Sequence, residues 1–119
     1  MIVARYGSAI TELLDDHAHE YPPGTSPLPE AELDRLAAEV PGWVRDGTRS
    51  LSREFRFDDF GGAFGLVARV ALLAEAEGHH PRAELEWGRA AFTTTTHNAD
   101  GLTRNDFILA AKIDQIAGV

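Results

Sequence analysis

An α+β fold, with a four-stranded antiparallel sheet covered on one face by three helices in the order α-β-β-α-β-β-α, is what this sequence predicts. Three observations carry that expectation. Helical and strand periodicities alternate along residues 28–117, the pair Asp46-Gly47 is a strong hairpin signal, and one long amphipathic segment runs from Asp58 or Asp59 to Gly78.

The elements follow in order. Residues 1–19 have the pattern of a short helix with Ile10, Leu13, Leu14 and His17 on one face. Residues 20–29 hold four prolines and a glycine and read as a linker, so the compact domain is expected over 28–119 after an extension of 1–27. From Pro29, Leu33, Leu36, Ala37 and Val40 recur at helical spacing, with Glu30 and Glu32 at the positive end of the helix dipole and Pro41-Gly42 as the stop. Trp43 opens an extended segment. After the hairpin, Leu51, Phe55 and Phe57 fall on one side of a strand on which Arg53 is the imperfection. The long helix carries Phe60, Ala63, Phe64, Val67, Ala68, Val70, Ala71 and Ala74, with Gly78 to end it. Strands are expected near residues 84–87 and 91–96. Thr103 caps a last helix whose apolar side holds Phe107, Ala110, Ile113 and Ile116.

Composition narrows the function. The 119 residues suit one domain, and a core this small favours association with further copies. Eleven basic against 19 acidic residues give a net charge of -8, which repels phosphate backbones and anionic lipid; neither nucleic acid nor membrane is an expected partner. No cysteine is present, so disulfides and thiolate chemistry are excluded. The first residues lack the basic-then-apolar pattern of a secretory signal and no apolar stretch is long enough for a membrane helix, which leaves a cytoplasmic protein as the expectation.

Histidine is the informative residue type. Of the five, His79 and His80 follow a helix end in a turn fixed by Pro81, and His97 lies at the end of the last strand. Imidazole titrates near neutrality, so histidines converging in a cleft suit general acid–base work. Competing readings are plain: an exposed polar loop for the adjacent pair, or a three-histidine zinc site, against which the adjacent spacing speaks. His17 and His19 read as surface residues. Thr103-x-x-Asp106 matches a capping box, Glu75 and Glu77 read as exposed acids, and Trp43 and Trp87 as core.

The run Glu75-x-x-x-His79-His80-Pro81, then Trp87, His97 and Asp106 at their spacing, resembles the signature of the pterin-4a-carbinolamine dehydratases. Pro41-Gly42-Trp43, the stretch Leu51–Phe60 and the ending from Thr96 to Asp114 are similar as well. The resemblance covers roughly residues 28–117, and it implies the same sheet-and-helix fold, assembly as a homodimer or homotetramer, and a hydro-lyase activity: removal of water from 4a-hydroxytetrahydropterin to give quinonoid dihydropterin, supporting recycling of the pterin used by an aromatic amino acid hydroxylase. It implies His79, His80 and His97 as catalytic residues, with Glu75, Pro81 and Asp106 supporting, and neither metal nor organic cofactor. On this reading His79 and His97 share the proton transfers, acid and base undecided, and His80 mainly binds. The alternative it implies is a non-catalytic pterin-binding or dimerisation module, as in animal relatives that bind a homeodomain factor. Arg82, Pro29 and the Asn98-Ala99-Asp100 loop depart from the family's usual residues, Asp100 adding negative charge near the expected site.

Overall fold

The structure, a computed structural model, describes residues 12–119. Helix α1 spans Glu30–Ala37, strands β1 and β2 span Val44–Asp46 and Ser50–Arg56, and helix α2 spans Phe60–Glu77. Strands β3 and β4 span Arg82–Glu86 and Arg89–Thr94, and a 3₁₀ turn at His97–Ala99 leads to helix α3, Arg104–Ala117. One antiparallel sheet has the order β1-β2-β4-β3, so the expected fold and element order are present. Residues 12–15 are also helical, and Leu13 is buried; Ile10, expected on the same face, lies outside the described residues.

Turn chemistry fixes the joints. Gly47 has φ 54 in the β1–β2 hairpin, and the Arg49 N–H donates to the Asp46 carbonyl. Asp59 Oδ1 accepts the Gly62 N–H at 2.7 Å and caps α2. Trp87-Gly88 turns β3 into β4. That position overturns the expectation of a core tryptophan: Trp87 stands at the tip of a hairpin and is 70% exposed, whereas Trp43 is buried.

Register divides the sheet into two faces. Leu51, Arg53 and Phe55 of β2 pair with Thr94, Phe92 and Ala90 of β4. Phe55 and Phe92 pack edge-on with centroids 6.1 Å apart, and the core holds them with Leu66, Val70, Phe107 and Ile113. Truncating a fully buried ring such as Phe92 costs about 3–5 kcal/mol. Arg53, out of place in the pattern, lies over the Phe55 ring, and its Nη1 donates to Asp114 Oδ1 at 3.0 Å; Trp43 Nε1 reaches the same oxygen at 2.9 Å. Burial still holds the Asp114 carboxyl above its ordinary value against these two partners.

The opposite sheet face is charged. Arg89 pairs there with Glu54 and Glu84. The α2 stripe differs from expectation: Ala63, Leu66, Val70 and Ala74 are buried, while Phe60 and Phe64 are about half exposed. Helix α2 is apolar on more than one side, so its sequence does not say which side meets the sheet. Among the described residues no helix is long and apolar enough to cross a membrane.

The proline-rich segment packs against the rest of the chain. Leu28 N–H donates to the Leu102 carbonyl at 2.9 Å and Gly24 N–H to the Asn98 carbonyl at 3.1 Å. A Cβ on Gly101 would lie 2.6 Å from the Thr48 carbonyl oxygen and 2.9 Å from Pro27, so the strap needs glycine there. Just ahead of it, residues 16–19 bond to α3 at Arg104, Asn105 and Lys112, and Asn105 and Lys112 are buried along with the expected apolar residues of that helix.

Candidate active site

Two chain reversals bring the motif together. Helix α2 stops at Gly78, whose left-handed φ of 68 any side chain would strain, and both Gly78 and His79 N–H groups donate to the Ala74 carbonyl. The chain therefore leaves the helix sharply, with His79 and His80 placed before β3. On the other side, β4 runs into Thr95-Thr96, and Thr96 bridges Gly101 across the 3₁₀ turn that His97 opens. His79 and His80, and His97 17 positions beyond His80, line one open cleft of about 260 Å³ with Thr95, Thr96, Asn98, Asn105 and residues 19–21.

Asp106 anchors this cleft from below the surface. It sits in the first turn of α3 and is fully buried. Oδ1 accepts from His79 Nε2 at 2.7 Å and from the Thr94 hydroxyl at 2.6 Å; Oδ2 accepts from the Thr96 hydroxyl at 2.8 Å and the Thr103 N–H at 3.0 Å. The last bond is half of the capping box expected from sequence, so Asp106 serves helix and histidine at once. Because the Thr96 proton goes to Asp106, the Thr103 hydroxyl, 2.7 Å from Thr96 Oγ1, is the donor between them. With four donors around one buried carboxylate, the His79 ring is held through its Nε2–H, and Nδ1 is the ring nitrogen that Asp106 does not engage.

His80 is held otherwise. Its Nε2 lies 2.6 Å from Glu75 Oε1, but both side chains are mostly exposed. Glu75, Pro81 and His80 also line a neighbouring apolar hollow of about 210 Å³ with Val67, Val70, Ala71, Ala74 and Ala83. Of the residues expected at the site, then, the three histidines share the cleft, Asp106 reaches it through His79, and Glu75 and Pro81 flank it through His80. Asp100, expected to bring charge near the site, is not among the cleft's lining residues and holds the left-handed φ of 50 that closes the 3₁₀ turn. Among the described residues no group of three His, Cys, Asp or Glu side chains is arranged to hold a metal ion.

Sequence reasoning did not find the strap. His19, read as a surface residue, lines the cleft with Tyr21, their rings 4.5 Å apart. No periodicity or motif marks these residues; proximity to the site arises only from long-range hydrogen bonds. Glu77, read as an exposed acid, is instead a buried anchor, its side chain 5% exposed and bonded to Lys112 Nζ at 2.7 Å and the Ala18 N–H at 2.9 Å. Burial pushes the Glu77 carboxyl up, but the hydrogen bonds from Lys112, Ala18 and His17 outweigh it and leave it below its ordinary value. His17 itself is exposed, as expected.

A sheet backed by helices thus carries an open cleft lined by three histidines, one of them held by a buried carboxylate. The profile of the pterin 4 alpha carbinolamine dehydratase family matches residues 26–116. Two proteins bearing the pterin-4-alpha-carbinolamine dehydratase name are similar: one from Chlorobium limicola, 52% identical over 73% of this chain and 80% of that protein, and one from Rubrobacter xylanophilus, 47% identical over 78% and 87%. A crystal structure of a transcriptional coactivator/pterin dehydratase from Brucella melitensis superimposes with a TM-score of 0.71 at 38% identity, covering 76% of this chain and 98% of that one. The chain belongs to the pterin 4 alpha carbinolamine dehydratase family and is, with that family, a hydro-lyase.

Proposed function

We propose that the chain dehydrates 4a-hydroxytetrahydropterin to quinonoid dihydropterin by histidine acid–base catalysis. The C4a–O bond breaks as the lone pair of the adjacent ring nitrogen forms a double bond to C4a. One histidine protonates the departing hydroxyl, which leaves as water, and another takes the proton released from the ring. Each positioned transfer contributes about 10²- to 10⁴-fold. The observation that carries this reading is the orientation of His79: a buried four-donor carboxylate commits its Nε2–H and leaves Nδ1 for a ligand in the cleft that His97 also lines. His79 and His97 are assigned the transfers, and His80 the binding of the pterin. Glu75 and Asp106 act through their histidines, and Pro81 sets the turn.

The catalytic unit on this reading is residues 28–119, in the cytoplasm, with no metal or cofactor in the chemistry. A pterin-dependent aromatic amino acid hydroxylase is the reaction that supplies its substrate. The unit works as a homodimer or homotetramer; apolar Phe60, Phe64 and Leu72, exposed along α2, support self-association more than the charged sheet face does. Purified protein should speed the dehydration of 4a-hydroxytetrahydropterin well above the spontaneous rate. No acceleration by folded protein would sink the proposal. Light scattering at micromolar concentration should return at least twice the mass of one chain.

A further inference from the structure

Residues 16–25 precede the family match, which begins at residue 26, yet they are hydrogen-bonded to the folded domain at several points, two of them at cleft residues. Asp16 accepts from Arg104 Nε at 2.8 Å through its carboxylate and from Lys112 Nζ at 2.6 Å through its carbonyl. Ala18 N–H is bound by buried Glu77. The side chain of Asn105 grips the His19 main chain on both sides: Oδ1 accepts the His19 N–H at 3.1 Å, and Nδ2 donates to the His19 carbonyl at 2.6 Å. Asn98 Nδ2 then donates to the Tyr21 carbonyl at 2.8 Å. Asn98 and Asn105 are themselves cleft residues.

These anchors use main-chain atoms together with the side chains of Asp16 and His17. The rings of His19 and Tyr21 serve none of them. They are held by a fixed backbone, packed on each other at 4.5 Å and 42°, and they line the same cleft as His79, His80 and His97. His17, two residues earlier, is 77% exposed and turned to Glu77 instead.

We infer that His19 and Tyr21 are substrate-binding residues: a strap outside the family's shared domain supplies an aromatic wall to the cleft, against which the bicyclic ring system of the pterin packs. The inference rests on the pterin reading above and deepens it. Aromatic rings offer a heterocycle an apolar, polarisable face, and a wall whose backbone is already fixed by Asn98 and Asn105 loses little freedom when it is covered. The wall contacts the ring system and takes no part in the proton transfers, so its effect falls on binding.

The test uses the full chain with His19→Ala, Tyr21→Ala and Tyr21→Phe, each checked for an unchanged melting temperature. Steady-state turnover of 4a-hydroxytetrahydropterin is measured beside direct binding of 7,8-dihydropterin, which has no hydroxyl to lose. Each alanine variant should raise both KM and the dihydropterin Kd about tenfold, within the range that stacking of a nucleobase on an aromatic side chain gives. Turnover at saturation should stay within about threefold, as expected when uniform binding is removed. Tyr21→Phe keeps the ring and should behave as the parent protein. Alanine variants with parental KM and Kd, or with reduced kcat at constant KM, would overturn the wall while leaving the dehydratase intact. A parent protein that neither binds dihydropterin nor dehydrates the substrate would instead bring down the pterin reading, and the wall with it.

Discussion

His79 and His80 are neighbours in sequence, each with Nε2 on a carboxylate, and their surroundings are opposite. The His79 side chain is 11% exposed and its partner Asp106 not at all; the His80 side chain is 59% exposed and its partner Glu75 77%. The first pair belongs to a network of threonines and a helix cap, and the second stands in solvent. A carboxylate that is desolvated and saturated with donors orients its histidine firmly, because moving either partner leaves buried groups unpaired. An exposed pair of the same length can exchange with water at little cost. The dipeptide thus carries one fixed ring and one adaptable ring, which matches the division of labour between proton transfer and ligand binding proposed above.

The largest effect should come from Asp106→Ala. It strands the hydroxyls of Thr94 and Thr96 and frees the His79 ring, so denaturant unfolding should reveal a loss of about 3 kcal/mol, with turnover falling as well. Next, His79→Ala and His97→Ala should each lower kcat about 10²-fold, nearly 3 kcal/mol of transition-state stabilisation, with folding intact. Their double variant should lose less than the sum of the two, since groups acting as a unit are not additive. Near-parental turnover in both single variants would end the catalytic assignment.

Burial, rather than position on α2, is what the comparison makes decisive, and Glu77 tests it. Glu75 and Glu77 stand two residues apart at the end of one helix, yet Glu77 is buried against Lys112 and the strap. Glu77→Gln should cost about 2 kcal/mol in denaturant titration because Lys112 keeps its charge with no countercharge. The sign of the pH dependence follows from its lowered pKa: the stabilisation is present above the unfolded value of 4.5 and is lost as pH falls through the lower folded value. Parental protein should therefore lose stability below about pH 4.5 more steeply than Glu77→Gln. Parallel pH profiles would show that the Glu77 ion pair contributes nothing to holding the strap.

What was legible in sequence was what depends on local pattern. Turn glycines at 47 and 78, the Asp59 cap and the alternation at Leu51 and Phe55 each follow from backbone preference and burial within a few residues, and they sufficed for the sheet and its helices. Spacing around Gly78 and Pro81 also gave the histidines. What escaped depends on contacts between distant segments. Trp87 and Phe64 are apolar by type and exposed by position, and no window around them shows which. Proline content marked residues 20–29 as irregular, correctly, but irregular backbone can be free or docked; Asn98 and Leu102, both distant in sequence, make it docked.

The smallest effect is expected at the exposed pair. Glu75→Gln keeps the length and one acceptor of the side chain and removes its charge, while His80 remains open to water. Exposed pairs contribute about 0–1 kcal/mol, so stability should change by less than about 0.5 kcal/mol and kcat by less than about threefold. His80→Ala removes the ring itself and should raise KM more than it lowers kcat, because a binding group contributes equally to ground and transition states. Together the two variants separate the ring from its orientation. If Glu75→Gln instead matched His79→Ala in its loss of turnover, the exposed carboxylate would be fixing a catalytic imidazole. Burial would then no longer distinguish the two histidines, and His80 would have to take one of the proton transfers assigned to His79 and His97.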